Sequence, residues 1–277
     1  MTSALRVEEP GLLTTIQDLG RPNAIASGVQ PGGAMDRFAH SAANLLVGND
    51  VGLATLECTL RAPGLVAEQA CLIAITGGDF DPRVNGDSVP EWASLSLSPG
   101  DRLTFGTRRL GARIYIAIAG GFEADRWLGS LSTNLMAGRG GLHGRPVRTD
   151  DTLTVATKRA PFAVAVRSMP AGLRPDYGDH TLRAIAGPHL KLLHPDSRSL
   201  LFQATYTVSR DSDRMGYRLD GPKPASTGDT ILSFALVAGA GRVPSVRSIR
   251  SPRGSARGCA ARHAAPGLAR ARRPGSC

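Results

Sequence analysis

Between its glycine and proline breaks, the first 240 residues carry short apolar runs rich in β-branched side chains. These runs predict strands over residues 71–76, 102–105, 112–119, 152–156, 163–166, 182–185, 205–208 and 230–234. Turn signals such as Asn85-Gly86-Asp87 and Ser98-Pro99-Gly100-Asp101 separate them. Short strands punctuated in this way predict a mainly β chain with a few short helices, a barrel or sandwich rather than βαβ units. One helix is predicted over residues 35–47, where Phe38, Ala42, Leu45 and Leu46 recur at helical spacing and Gly48 follows as a C-cap. Shorter helices are expected over residues 189–194 and 197–202.

A Pro/Gly/Asp-rich stretch over residues 170–180 is the best internal boundary. It gives a first β subdomain over residues 1–175 and a partial second one over residues 176–240. The two share a loose order of strand, Asp-Arg loop (Asp36-Arg37 and Asp213-Arg214) and strand, as a duplicated barrel would. Beyond Gly241 the pattern ends. Residues 241–277 are dominated by Arg, Ala, Ser, Gly and Pro, contain no acid, and keep no period of 2 or 3.6. A disordered basic arm is one reading of this tail. The other is a shifted reading frame just after Ala240, because GC-rich codons yield those five residues in any frame. The second is favoured, since the change follows an apolar run at the point where a barrel needs further strands to close.

The tail also changes what the charge means. The chain of 277 residues carries a formal net charge of +10, which by itself points toward polyanions. Nine arginines lie beyond Gly241 with no acid among them; without them 24 basic residues face 23 acidic ones. The body is therefore nearly neutral, and nucleic acid is not its expected partner. No apolar run approaches the roughly 20 residues of a membrane span, and the acid-bearing N-terminus lacks a signal-peptide core. A cytoplasmic protein is the expectation. Of the four cysteines, Cys58 and Cys71 lie in apolar, strand-like surroundings and are expected as buried free thiols. His40, His143, His180, His189 and His194 show no metal-ligand spacing, so no metal is predicted.

Three stretches could carry chemistry. In the first, Gln17-Asp18-Leu19-Gly20-Arg21-Pro22 is followed by Pro31-Gly32-Gly33-Ala34-Met35-Asp36-Arg37. Two glycines before a helix leave backbone N–H groups able to hold an anion, while Asp36 in the first turn suits either the helix dipole or catalysis. In the second, Ser209-Arg210-Asp211-Ser212-Asp213-Arg214-Met215-Gly216-Tyr217-Arg218-Leu219 sets two carboxylates, three guanidiniums and a phenol between strands. It reads as a surface turn laced with ion pairs, or as a fork for a substrate carboxylate with an Asp as base or positioner. The third, Gly138-Arg139-Gly140-Gly141-Leu142-His143-Gly144-Arg145, lacks the features of a P-loop or dinucleotide fingerprint; it reads as a flexible loop whose arginines could touch phosphate.

Taken together these motifs carry a resemblance. Residues 10–22 and 31–36, Ala43-Asn44-Leu45-Leu46-Val47-Gly48-Asn49, Ala117-Ile118-Ala119-Gly120-Gly121-Phe122, Leu128-Gly129-Ser130, Gly187-Pro188-His189 and residues 212–219 resemble the biotin-dependent carboxyltransferase-like family, also called allophanate hydrolase subunit 2. That family includes the C-type subunit of 5-oxoprolinase and the carboxyltransferase domain of urea carboxylase. The resemblance implies two cyclophilin-like β-barrel subdomains, the second incomplete here because no Thr-Gly-Gly-Tyr-Pro-Lys-type loop follows Ala240. It implies pairing with a B-type partner protein and a third oxoprolinase subunit in an ATP-consuming amide or lactam hydrolase that opens 5-oxoproline to glutamate. The alternatives are a carboxyltransferase acting on urea or a similar amide, with biotin carried by another domain or chain, and a non-enzymatic regulatory partner of the B-type protein. Placed on the matching positions, the chemistry falls to Asp36, Asp213 and Arg214. Substrate contacts fall to Gln17, Asp18, Gly32, Gly33, Met35, Met215, Tyr217 and Arg218.

Overall fold

In the computed structural model of the chain, residues 3–157, 166–179, 184–214 and 216–225 are described, together with Ala240 and the backbone of Cys259–Ala261. The chain divides into two compact units, Met1–Tyr177 and Gly178–Cys277. In chain order the first contains β1 (Ser3–Glu9), β2 (Leu13–Gln17), α1 (Arg37–Leu46), β3 (Thr55–Thr59), β4 (Gly64–Ala67), β5 (Cys71–Gly77) and β6 (Pro82–Val84). It continues with β7 (Asp87–Ser88), β8 (Ala93–Leu97), β9 (Arg102–Phe105), β10 (Arg113–Ile118) and β11 (Thr152–Thr154).

These strands form two antiparallel sheets, ordered β11-β1-β4-β9-β6-β7 and β2-β3-β10-β5-β8. Alternation decides which residue faces what. Along β10, Ile114, Ile116 and Ile118 join Leu5, Val7, Leu65 and Leu103 of the other sheet in one apolar core. Tyr115 and Ala117 point to the opposite face, where α1 packs. β5 repeats the pattern, with Ile73 and Ile75 on one side and Leu72 and Ala74 on the other. A sheet covered on both faces has continuous apolar strands, and this makes β5 and β10 visible in the sequence. Truncating a fully buried side chain such as Ile116 would cost about 2–5 kcal/mol.

Helix α1 is shorter than predicted, and its buried face is different. Phe38 and Leu45 are half exposed, while Ala39, Ala42, Ala43 and Leu46 meet the sheet. Small side chains let the helix backbone lie close, and the Thr76 hydroxyl donates to the Ala39 carbonyl at 2.7 Å. Gly48, at φ 76°, follows the helix in the left-handed conformation and donates its N–H to the Leu45 carbonyl. The predicted strand over residues 152–156 ends at Thr154, with Val155 in an isolated bridge to Phe122. Cys58 and Cys71 are buried free thiols.

In the second unit, α2 (Pro195–Gln203) is followed by β12 (Thr207–Val208) and β13 (Tyr217–Asp220), which pair antiparallel. The helix expected over residues 189–194 is one 3-10 turn, Leu190–Leu192. The strand expected over residues 205–208 is reduced to β12. The backbone of β14 (Cys259–Ala261) pairs with residues 217–219, a short strand inside the segment expected to hold no regular structure. The strand predicted over residues 230–234 lies outside the described residues, as do parts of those over 163–166 and 182–185.

Candidate functional site

At the end of β2 the chain runs into the first candidate stretch, and Asp18 organises it. Its Oδ1 accepts hydrogen bonds from the hydroxyls of Ser130 and Ser132, both at 2.6 Å, and from the Gly20 N–H at 2.7 Å. Its Oδ2 accepts from the Leu131 N–H at 2.6 Å. Burial pushes the Asp18 carboxyl up, but the donors from Ser130, Ser132, Leu131 and Gly20 outweigh it and hold the group below its ordinary value. The Asp18 N–H donates back to Ser132 Oγ at 2.9 Å. Gln17 donates from Nε2 to Thr15 Oγ1 and the Thr133 carbonyl, while its buried Oε1 has no hydrogen-bond partner among the described residues. Gln17 and Asp18 thus fasten residues 130–133 to β2.

Arg21 extends this knot. It is 2% exposed, with its guanidinium 5.0 Å from the centroid of the Trp127 ring. Nε donates to the Trp127 carbonyl and Nη2 to the Ser132 carbonyl. Burial lowers the Arg21 pKa, against the opposing pull of Asp18. The two glycines expected to hold an anion serve the approach of two turns. A Cβ on Gly33 would lie 2.8 Å from the Leu19 carbonyl, and one on Gly32 would lie 3.0 Å from Arg21 Nη1. The Arg21 N–H reaches the Pro31 carbonyl at 2.7 Å, and the Ala34 N–H reaches the Asp18 carbonyl at 2.8 Å.

The helix start does hold an anion, and it is the protein's own. The Met35 N–H donates to Glu57 Oε2 at 2.8 Å. Tyr115 donates to the same oxygen at 2.9 Å and accepts from the Asp36 N–H at 2.8 Å. Arg113 completes the cluster, its Nε 3.5 Å from Glu57 Oε1. Asp36 sits one residue earlier than expected, at the N-cap rather than in the first turn; its Oδ1 accepts from the Ala39 N–H at 2.9 Å. Its Oδ2 accepts from the Tyr177 hydroxyl at 2.6 Å. Burial and the neighbouring Glu57 raise the Tyr115 pKa, and burial and Asp36 raise that of Tyr177, so both remain phenols. His40, fully buried on α1, has Nδ1 2.8 Å from Thr55 Oγ1 and is pushed down to about 4 by burial, so it is neutral at pH 7.

The second stretch forms the β12–β13 hairpin. The Ser209 N–H donates to the Arg218 carbonyl at 2.7 Å, and Ser212 Oγ accepts from the Arg218 N–H at 2.9 Å. Asp213 Oδ1 accepts from the Gly216 N–H at 3.1 Å and closes the tip. The Arg218 guanidinium donates to the Asp211 carbonyl, so that arginine stiffens the loop it belongs to. Asp213 is exposed, Arg214 half-buried and Tyr217 buried. Met215 lies outside the described residues.

Gln17, Asp18, Gly32, Gly33, Met35 and Asp36 are therefore gathered in the first unit, and Asp213, Arg214, Tyr217 and Arg218 belong to the second. Sequence reasoning passes over Glu57, Tyr115, Tyr177, Ser130 and Ser132. Glu57 is marked by an acid inside the apolar strand Thr55-Leu56-Glu57-Cys58-Thr59. Ser130 stands in the Leu128-Gly129-Ser130 motif, but nothing local pairs it or Ser132 with Asp18, which lies 112 and 114 residues away.

Residues 27–249 match the family described as carboxyltransferase domain, subdomain A and B. The chain is 38% identical over 227 residues to the "Putative urea carboxylase" of Emericella nidulans, covering 80% of this chain and 18% of that protein. It is 34% identical over 241 residues to the C subunit of the Escherichia coli 5-oxoprolinase, covering 87% of this chain and 76% of that one. The crystal structure of the K. lactis urea amidolyase superposes with a TM-score of 0.73 at 32% identity, over 80% of this chain and 14% of that chain. The chain thus spans less than a fifth of the urea carboxylase and about three quarters of the bacterial protein.

Proposed function

The chain belongs to the carboxyltransferase-domain family, subdomains A and B, and from that premise we propose that it serves as a C-type subunit of a 5-oxoprolinase-like complex. The observation that carries this reading is the extended match to the E. coli C-type subunit, which takes in 76% of that protein. The substrate is then a lactam or related amide, opened at the expense of ATP by an assembly with a B-type partner and a third subunit. ATP is assigned to the assembly rather than to this chain. The glycine-rich residues 138–145 are held by the bridges Asn134↔Arg139, Asp125↔Gly141 and Leu142↔Arg145, and no strand–loop–helix cradle for a triphosphate forms there.

Within this reading Arg214 holds the carboxylate of the substrate, with Asp213 beside it on the same hairpin tip. Arg218 and Ser212 keep that hairpin in shape. Asp36 acts as a positioning residue: both of its oxygens are occupied, one by the helix and one by Tyr177. Coexpression with the B-type and third subunits should give ATP hydrolysis that depends on 5-oxoproline, and Arg214→Ala should raise KM for 5-oxoproline tenfold or more, an expectation of about 1.5–3 kcal/mol for a charged hydrogen bond. Unchanged kinetics in that variant would remove Arg214 from the site.

A second reading rests on the higher identity to the urea carboxylase. In it the chain passes a carboxyl group from carboxybiotin, carried by another domain or chain, to urea or a similar amide. Urea-dependent loss of carboxybiotin, with no response to 5-oxoproline, would favour this reading over the first.

A further inference from the structure

The stretch from Gly138 to Arg145 has no role in the function proposed above, yet it is not an open loop. Bridges pin it to Asp125 and Asn134. Gly138, Gly140, Gly141, His143 and Gly144 all have φ between 55° and 73°. A Cβ on Gly140 would lie 2.4 Å from the Ser132 carbonyl, the group that also accepts from Arg21. The loop is thus seated on the Asp18–Arg21 knot. With residues 125–127 it lines a solvent-open cavity of about 410 Å³, near the small end of the range of about 300–1,000 Å³ for ligand pockets.

The lining is unbalanced in charge. Asp125 is turned onto the loop, its Oδ2 accepting from the His143 N–H at 3.2 Å and lying 3.3 Å from His143 Nδ1. Arg126 gives one N–H to the Gly129 carbonyl and keeps four of its five donors. The Arg139 side chain makes no hydrogen bond or ion pair among the described residues. The Trp127 indole N–H and the Gly140 backbone N–H also find no acceptor among them. Arg21, which does not itself line the cavity, braces the Trp127 ring and adds its charge nearby. Two guanidiniums face one carboxylate, Asp125, whose Oδ2 is taken up by His143 while its Oδ1 makes no hydrogen bond among the described residues; donors are in excess, and one flat apolar surface is present.

We propose that this cavity is a binding site for a small carboxylate or phosphate anion, held between Arg126 and Arg139 with the Trp127 ring as its wall. Guanidiniums bind either anion through paired N–H groups, so both ligand classes share the same recognition. The inference does not depend on the oxoprolinase reading. The test is calorimetric titration of the full chain at low salt with 5-oxoproline, inorganic phosphate and uncharged 2-pyrrolidinone, with tryptophan fluorescence as a local signal. At least one anion should bind while pyrrolidinone does not, and which anion binds identifies the class. Arg126→Gln and Arg139→Gln should each weaken binding about tenfold. Arg61→Gln, outside the lining, should leave it unchanged. All three arginines are exposed, so the variants should keep the wild-type melting temperature. Absence of binding by either anion, equal binding of pyrrolidinone, or affinity indifferent to both cavity substitutions would overturn the proposal.

Discussion

Asp18→Asn is nearly isosteric and should nevertheless be costly, because two backbone donors approach different oxygens of the carboxylate. The Gly20 N–H binds Oδ1 and the Leu131 N–H binds Oδ2. Serine hydroxyls can rotate to become donors or acceptors, but these two amides cannot. Either orientation of the Asn side chain therefore sets its NH2 against a backbone N–H. One buried donor left unpaired costs about 1–3 kcal/mol. The remaining contacts fall from charge-assisted to neutral, and buried Arg21 loses its opposing charge. Relief of the desolvation of Asp18 offsets part of this, leaving a net loss of about 3 kcal/mol. For a unit of this size that is a fall in Tm of about 6–12 °C. Both tryptophans, Trp92 and Trp127, lie in the first unit, so fluorescence melts report that unit selectively. The sign of the pH dependence follows from the lowered carboxyl pKa. Its stabilisation is complete above the unfolded value of about 3.9 and is lost as pH falls through the native value. The gap between wild type and variant should therefore narrow below pH ~4. A loss under about 1 kcal/mol at pH 7, or a gap that does not narrow in acid, would refute the account of Asp18.

Tyr115→Phe removes both the donor to Glu57 and the acceptor for the Asp36 N–H. It should cost about 1–3 kcal/mol and speed hydrogen exchange at the first amides of α1, whereas Tyr177→Phe should cost less than about 1.5 kcal/mol. His40, pushed down to about 4, should contribute a loss of stability as pH falls from about 6.5 toward 4, about 3 kcal/mol for that group alone. Urea melts at pH 7, 5.5 and 4.5 should show the stability of wild type relative to His40→Gln falling as the pH falls; parallel profiles would contradict the burial argument. The comparison must be between those two proteins, because Glu91, raised to about 7 by burial, shifts stability in the opposite direction over the same interval. Burial pushes the Cys71 thiol up to about 12 and that of Cys58 further still. Peptides carrying these two residues should stay unlabelled by iodoacetamide at pH 8 until the chain is unfolded, as read by mass spectrometry.

What can be read from the sequence is what local pattern encodes. β5, β9 and β10 match their predicted ranges nearly to the residue, because their apolar character is continuous or regular. β1 is not among the predicted strands. Arg6, Glu8 and Glu9 interrupt its apolar positions, and its pairing shifts register between Ser3 and Leu5 and again between Val7 and Glu9. The helix is legible, but its apolar spacing puts Phe38 and Leu45 on the wrong face. Hydrophobicity ranks them above alanine, whereas close packing on the sheet selects Ala39, Ala42 and Ala43. At the candidate site, Asp18, Asp36 and Arg214 stand out by residue type and by motif. Their partners do not, because Ser130 reaches Asp18, and Tyr177 reaches Asp36, only through the tertiary fold.

The helix start shows how partners change the meaning of a motif. Two glycines, a helix and a following Asp predict an open anion site. In the folded unit the Met35 N–H is taken by Glu57, the Asp36 N–H by Tyr115 and the Ala39 N–H by Asp36 itself. A soluble anion would have to displace a carboxylate that is 1% exposed and held by Arg113 and Tyr115, at the cost of leaving that carboxylate unpaired in the interior. The charge that recognises a ligand must then come from guanidiniums outside the core. Arg21 and Arg113 are packed within it. Arg126 and Arg139 at the cavity rim are exposed and Arg214 on the hairpin of the second unit is half-buried, so all three stay within reach of solvent, as do Arg37 and Arg210. Substituting Arg126, Arg139 and Arg214 one at a time would divide ligand recognition between the cavity and the hairpin without disturbing either core.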